Sequence, residues 1–198
     1  MLEKAQVKDT VIAVLKPHKE PMRVINTKVV VVIERKDGTK ETHESKNIVT
    51  NAGDLFYAER GVKTSIPTNF VDGSGDFDGI MELYSDAGTP NAAPAKGNDR
   101  SNLTGTLATG SAQAMDSTYP KVNDGDSDNT GAGTDIVTYR VSYATGDANL
   151  ANISDVIITN PSPGASEALL MHAEFGSSFT KTSSDTLKVF VNHQLNGV

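Results

Sequence analysis

The sequence contains no cysteine and no tryptophan, and only 6% of its 198 residues are aromatic. Without cysteine there is no disulfide framework, no thiolate metal site and no cysteine nucleophile. With six Phe and five Tyr as its only aromatics, the chain must build its core on Val, Ile and Leu, and surfaces on which a sugar could stack are scarce. No apolar run approaches the roughly 18 residues of a membrane span; the longest, 29–33, has the length of a strand. The first ten residues carry acidic side chains and no apolar stretch followed by a small-residue cleavage site, so no export peptide is expected. The chain reads as soluble, with no membrane partner. Positive charge is in deficit as well, since 18 Lys and Arg stand against 25 Asp and Glu for a net charge of −7. Affinity for nucleic acid comes chiefly from cations that neutralise phosphates, so nucleic acid is not expected as a partner.

What is there is β-structure. Four runs in the last third, 136–143, 153–159, 168–175 and 186–195, alternate apolar and polar residues and are bounded by turn residues. In the first, Val137, Tyr139, Val141 and Tyr143 share one face while Thr138, Arg140 and Ser142 share the other, the period-2 pattern of a half-buried strand. These runs read as a β-meander with turns at 144–149, 160–164 and 176–178, where Gly, Asn, Asp and Pro supply the special backbone angles. Further back, 24–35 and 40–46 read as a hairpin around Asp37-Gly38, a type I′ signal. Its first strand is apolar on both faces at 29–33 and should be sandwiched. Its second is almost wholly polar and suits a sheet edge. One helix is expected, capped by Thr50 or Asn51 and stopped by Gly61, with a stripe of Ala52, Leu55, Phe56 and Ala58 or Glu59. A short strand at 80–84 precedes a stretch rich in Gly, Ser, Thr, Asn, Asp and Pro, about 86–135, expected to project at a rim. Loops of that length are uncommon unless functional.

The expected fold is therefore all-β, a β-sandwich of jelly-roll-like or Ig-like type, with one short helix and a long irregular insertion. Residues 23–198 form its single domain. Residues 1–22, with Pro17 and Pro21 after an apolar cluster, read as an extended N-terminal arm, because each Pro disfavours the α conformation in the residue before it. Such an arm either packs on its own domain or reaches a neighbour.

Chemistry-bearing patterns are few. There is no nucleophile elbow, no phosphate-binding Gly-x-x-x-x-Gly-Lys and no His-Glu-x-x-His, so an enzyme is not expected, and no cofactor. Two loops place aspartates at alternate positions as a calcium loop would: Asp72, Asp76 and Asp78, and then Asp124, Asp126 and Asp128. Both lack the closing acid of an EF-hand, and both read first as solvated turns, with weak calcium sites as the alternative. Of the four histidines, His193 falls on the apolar face of the last strand and reads as a boundary residue with one hydrogen bond. His172, opposite Leu169, Met171 and Phe175, is expected to be exposed.

Two stretches resemble structural proteins of tailed bacteriophage particles. One is Asn47-Ile-Val-Thr-Asn-Ala-Gly53, an Asn-x-Val-Thr-Asn-x-Gly opening onto a short helix; the other is the alternating finish at 153–158, 168–175, 179–182 and 185–191. The resemblance implies a non-enzymatic virion building block, above all a capsid decoration or cement protein on the outer head surface, assembled in the host cytoplasm. Its partners would be the major capsid protein or other virion proteins, and it would form a homo-oligomer, trimer or dimer. A tail or fibre-attachment component and a calcium-dependent carbohydrate-binding module are the alternatives. On the first reading Val11, Ile12, Val14 and Leu15 of the arm are the partner-binding residues.

Overall fold

A computed structural model describes residues 23–62, 69–161 and 168–195. Among these residues eleven strands and one α-helix build two antiparallel sheets face to face, an all-β sandwich. The first sheet has the order β2 (Lys40–Ser45), β1 (Val24–Glu34), β11 (Thr186–Leu195), β8 (Ile136–Tyr143), β7 (Lys121–Val122). The second runs β3 (Asn47–Val49), β10 (Leu169–Lys181), β9 (Leu150–Thr159), β4 (Ile80–Ser85), β5 (Thr106–Leu107), with β6 (Gln113–Ala114) also paired to β4. Alternation places Val29, Val31, Ile33, Tyr139, Val141, Val189 and Val191 on the inner face of the first sheet. They meet Met81, Leu83, Val156, Ile158, Met171 and Ala173 of the second in one core. At about 1.5–3 kcal/mol for each large side chain fully removed from water, this contact holds the sandwich together.

The last four runs are strands, but they are not a meander. β8 and β11 pair with each other in the first sheet, while β9 and β10, between them in sequence, pair in the second. The chain thus crosses the sandwich after β8 and returns after β10. The turn expected at 176–178 lies inside β10, where the register with β9 shifts between Glu174 and Phe179. There β10 leans toward the edge strand β2: Ser45 Oγ donates to the Glu174 carbonyl at 2.6 Å, and the His43 ring lies 4.9 Å from Phe179. The polar β2 is an edge, as its composition indicates. Its turn differs from the type I′ expectation, because only Gly38 has a positive φ, +82°, and Gly38 N–H donates to the Arg35 carbonyl. That is a type I turn closed by a left-handed glycine, which needs one permissive residue rather than two.

The helix α1 spans Asn51–Val62. Thr50 caps it, accepting the Gly53 N–H at 3.2 Å through Oγ1, while its own N–H donates to the Leu170 carbonyl. The cap therefore also staples the helix to β10. Gly53 sits so close to β10 that a Cβ there would collide with the Leu170 carbonyl oxygen and with Val49 Cγ1. This approach turns Gly53, Phe56 and Tyr57 inward and leaves Leu55, expected in the stripe, 49% exposed. The helix runs through Gly61 rather than stopping on it, and Gly61 has no positive φ.

The insertion 86–135 does not project at a rim. Its first half lies across the outer face of the second sheet, where Leu103 and Leu107 pack on Tyr84, Ile157 and Leu169. Its second half crosses the outer face of the first. There Asn129 exchanges hydrogen bonds with Asn192, Thr130 Oγ1 donates to Glu44, and Gly131 lies against Asn192 and Lys28. A chain lean in core residues thus covers both sheets with its own polar loops.

Candidate functional site

Buried polar groups behind an open aromatic cleft are the feature that composition does not foretell. The cleft, about 560 Å³, opens at one end of the sandwich. Phe56, Tyr57 and Arg60 of α1 form one wall; Asp76 and Phe77 form the second; Thr118, Tyr119 and Pro120 form the third; Val137, Tyr139 and Leu195 make its floor. Five of the chain's eleven aromatic residues thus meet at one place. The Phe56 ring packs edge-on against Tyr57, Phe70 and Phe77 at centroid separations of 5.2, 5.8 and 5.9 Å, and Phe77 lies 5.0 Å from Tyr139. The Arg60 guanidinium lies 5.5 Å over Phe56 and donates to the Gly75 carbonyl, tying the helix to the 72–78 loop. Such rings interact by about 0.5–1.5 kcal/mol per pair beyond area burial, which makes the cleft a firm surface.

Behind the floor, His193 is fully buried rather than at a boundary, and it has two partners rather than one. Asn47 Nδ2 donates to its Nε2 at 2.8 Å, so the neutral ring carries its proton on Nδ1, which faces the Tyr57 hydroxyl at 2.6 Å. Tyr57 in turn lies 2.8 Å from the Tyr139 hydroxyl. Burial pushes the His193 imidazole down to about 3 and raises both tyrosine hydroxyls, so these three side chains are neutral throughout the physiological range.

His172 is likewise not exposed. Its Nε2 meets Asp155 Oδ1 at 2.8 Å, its Nδ1 faces Asn98 Nδ2 at 3.2 Å, and no part of it reaches solvent. The sequence pattern put His172 on the outer face correctly; the insertion covers that face. Ser154 Oγ donates to Asp155 Oδ2 at 2.6 Å, and Asn91 donates to the same oxygen. A serine, an aspartate and a histidine are therefore adjacent in an order that does not activate the serine, since its hydroxyl faces the carboxylate and not the imidazole. Beside them Arg100 grips Glu82 with two bonds of 3.0 and 2.8 Å, and the Tyr84 hydroxyl also donates to Glu82. Burial pushes Tyr84 up to about 12. This cluster locks the first half of the insertion to the second sheet.

The two aspartate loops have opposite surroundings. In the first, Asp72 Oδ1 accepts the backbone N–H groups of Ser74 and Asp76, closing a tight turn beneath the Val71–Phe77 bridge. Asp72, Asp76 and Asp78 are all exposed. In the second, Asp124 accepts from Tyr119 and Asn129 and pairs with Lys121; Asp126 pairs with Arg140 and Lys188; Asp128 pairs with Lys40 and Lys188. Its carboxylates are taken up by Lys40, Lys121, Arg140 and Lys188, two of them sharing Lys188, rather than turned to a common centre. Among the described residues no three His, Asp or Glu side chains are grouped to hold a metal ion.

Val11, Ile12, Val14 and Leu15 lie outside the described residues. The cleft escaped the sequence because its aromatics come from positions 56, 57, 77, 119 and 139, without common spacing; only the pairing of strands from both ends of the chain assembles them. Of the exposed large apolar side chains among the described residues, two share a groove, while Leu55 and Val122 stand apart. Ile25 (55% exposed) and Ile48 (37%) line a shallow groove of about 220 Å³ between β1 and β3, with Lys96 at its side. No protein-family model matches the chain, and neither does any curated protein or solved structure.

Proposed function

We propose that the chain is a non-enzymatic structural protein that works by binding its neighbours, in the role of a capsid decoration or cement protein of a tailed-bacteriophage head. The observation that carries the reading is the exposed pair Ile25 and Ile48, two β-branched apolar side chains flanking one groove at the end of β1 where the N-terminal segment joins. Scattered single exposed apolar residues are ordinary, whereas grouped ones at a groove suit a protein partner.

The phage-like segment adds support of another kind, since its residues carry the architecture. Asn47 holds His193, Thr50 caps the helix and Gly53 lets the helix meet β10. The resemblance is thus one of construction, and it favours a building block over a catalyst. In this role the chain assembles on the head as a dimer or trimer, contacting the major capsid protein through the groove and one another through the arm residues Val11, Ile12, Val14 and Leu15. The calcium-dependent carbohydrate module is the weaker reading, because the second aspartate loop spends its carboxylates on Lys40, Lys121, Arg140 and Lys188.

Co-sedimentation with purified heads and with purified tails of the parent particle tests the proposal. The intact chain is expected to sediment with heads, and Ile25→Asp with Ile48→Asp is expected to weaken that binding about tenfold or more while leaving the melting temperature unchanged. Binding to tails alone, or to neither, sinks the decoration role.

A further inference from the structure

The aromatic cleft lies near the start of β1. β1 begins at Val24, which pairs with Leu195, and Leu195 forms part of the cleft floor. The first residue of β1 therefore lies one strand away from the cleft floor. Eight residues, Lys16 to Arg23, separate Val24 from the apolar run Val11-Ile-Ala-Val-Leu15. Eight residues span at most roughly 25–30 Å. Neighbouring strands lie only about 5 Å apart. A spacer of that length is long enough to carry the run past its own β1 to the cleft of an adjoining copy.

The chemistry of the cleft matches that run. Its walls are Phe56, Phe77 and Tyr119, which suit aliphatic side chains. Its rim is the 72–78 loop, whose exposed carboxylates Asp72, Asp76 and Asp78 form no ion pair among the described residues, while the apolar run is followed by Lys16 and Lys19. An apolar segment with lysines on one flank complements an aromatic slot with carboxylates on one rim, and the rim charges would add steering more than affinity.

We propose that the cleft formed by Phe56, Arg60, Phe77, Tyr119 and Tyr139 is the seat for residues 11–19 of a second copy of the chain. The exchange is reciprocal or cyclic, the identical segment being passed between protomers, which is a low-cost route to a closed oligomer. This rests on the homo-oligomer part of the function proposed above and names its contact.

The absence of cysteine makes the test clean. Full-length Ile12→Cys is mixed with full-length Thr118→Cys, a cleft residue that is exposed, and oxidised. Ile12→Cys mixed with Thr42→Cys, on the exposed side of β2 toward the hairpin turn, serves as control. Melting curves verify that each variant folds. The expected result is a disulfide-linked heterodimer in the first mixture, about tenfold more abundant than in the control, as an effective concentration near the millimolar range demands. Equal yields in both mixtures, or none, overturn the seat. A double variant, Ile12→Cys with Thr118→Cys, that cross-links only within one chain overturns the exchange between copies. Co-sedimentation with heads is read separately: heads bound without cross-linking removes this contact and spares the decoration role, whereas cross-linking without head binding does the reverse.

Discussion

The loops 72–78 and 124–129 have nearly the same alternation of aspartates with small residues, yet one is a free acidic rim and the other a knot. The difference lies in what faces them. The first hangs at the end of the sandwich beside α1, with Arg60 reaching only its Gly75 carbonyl. The second lies over the outer face of the first sheet, whose alternating strands present Lys40, Arg140 and Lys188 to it. Burial alone would push the Asp124 carboxyl up; hydrogen bonds from Tyr119, Asn129 and the Asp126 N–H, with Lys121, overcome it and hold Asp124 below the usual carboxylate range. Asp128 is held low chiefly by Lys40 and Lys188. Carboxylate spacing thus states a loop's turn chemistry, and the sheet beneath decides its charge chemistry. The strongest test removes Asp124, whose side chain is sealed from solvent. Asp124→Ala takes from Tyr119 and Lys121 their buried partner and from Asn129 one of its acceptors, and is expected to cost about 3 kcal/mol. Melting should fall by roughly 6–12 °C, measured calorimetrically at pH 7. A loss within the error of the scan would mean that the knot does not hold the insertion down.

The second effect separates the knot from the core histidine by pH. Because the native His193 imidazole resists protonation until about pH 3 while the unfolded chain's takes a proton near 6.5, the unfolded state binds more protons throughout that window. Stability is therefore fully present above pH 6.5 and falls as the pH drops toward 3. At about 1.4 kcal/mol per unit, the loss from pH 6.5 to 5 is about 2 kcal/mol. The knot behaves differently: Asp124 and Asp128, with lowered native values, contribute stability above the usual carboxylate range that is lost only as the pH falls through those lower values. Urea titrations of wild type and His193→Gln at pH 7.5, 6.5 and 5 distinguish them. The variant should be less stable at pH 7.5, since Asn47 and Tyr57 are deprived of their partner, but its stability should decline less between 6.5 and 5. Parallel declines would show that His193 charges in the folded state.

How much of this was legible follows from the range of the forces involved. β8 and β11 coincide with their sequence runs, and β1, β2 and α1 lie where local patterns place them, because alternation, turn residues and a Thr cap are local signals. Which strands pair is not local, so a meander was the wrong reading of four correct strands. The periodicity of 168–175 put His172 on the outer face, but whether that face is wet depends on Asn91, Asn98 and Leu103, seventy residues away in the chain and polar enough to pass for a free loop. Leu55 shows the reverse: one contact, Gly53 against the Leu170 carbonyl, rotates the helix and strands an apolar side chain in solvent. The cleft is the extreme case, since no two of its three walls are neighbours in sequence.

The smallest expected effect tests the other loop. Asp76→Asn with Asp78→Asn removes two exposed carboxylates, which should change stability by less than about 0.5 kcal/mol, in contrast to Asp124→Ala. Calcium sharpens the point, because a ligand that binds only the folded chain raises stability by RT ln(1 + [L]/Kd). Even a weak site, with Kd near 1 mM, would contribute about 1.4 kcal/mol at 10 mM calcium by that relation, or several degrees in melting temperature. The exposed turn has its Asp72 oxygen committed to the Ser74 and Asp76 N–H groups, and the knot has its carboxylates on cations, so neither loop offers converging oxygens. The melting temperature is expected to be the same in 10 mM calcium as in a chelator at matched ionic strength. A rise of several degrees that disappears in the Asp76→Asn, Asp78→Asn variant would mean that the exposed loop rearranges around an ion, and the two loops would then differ in ligand as well as in burial.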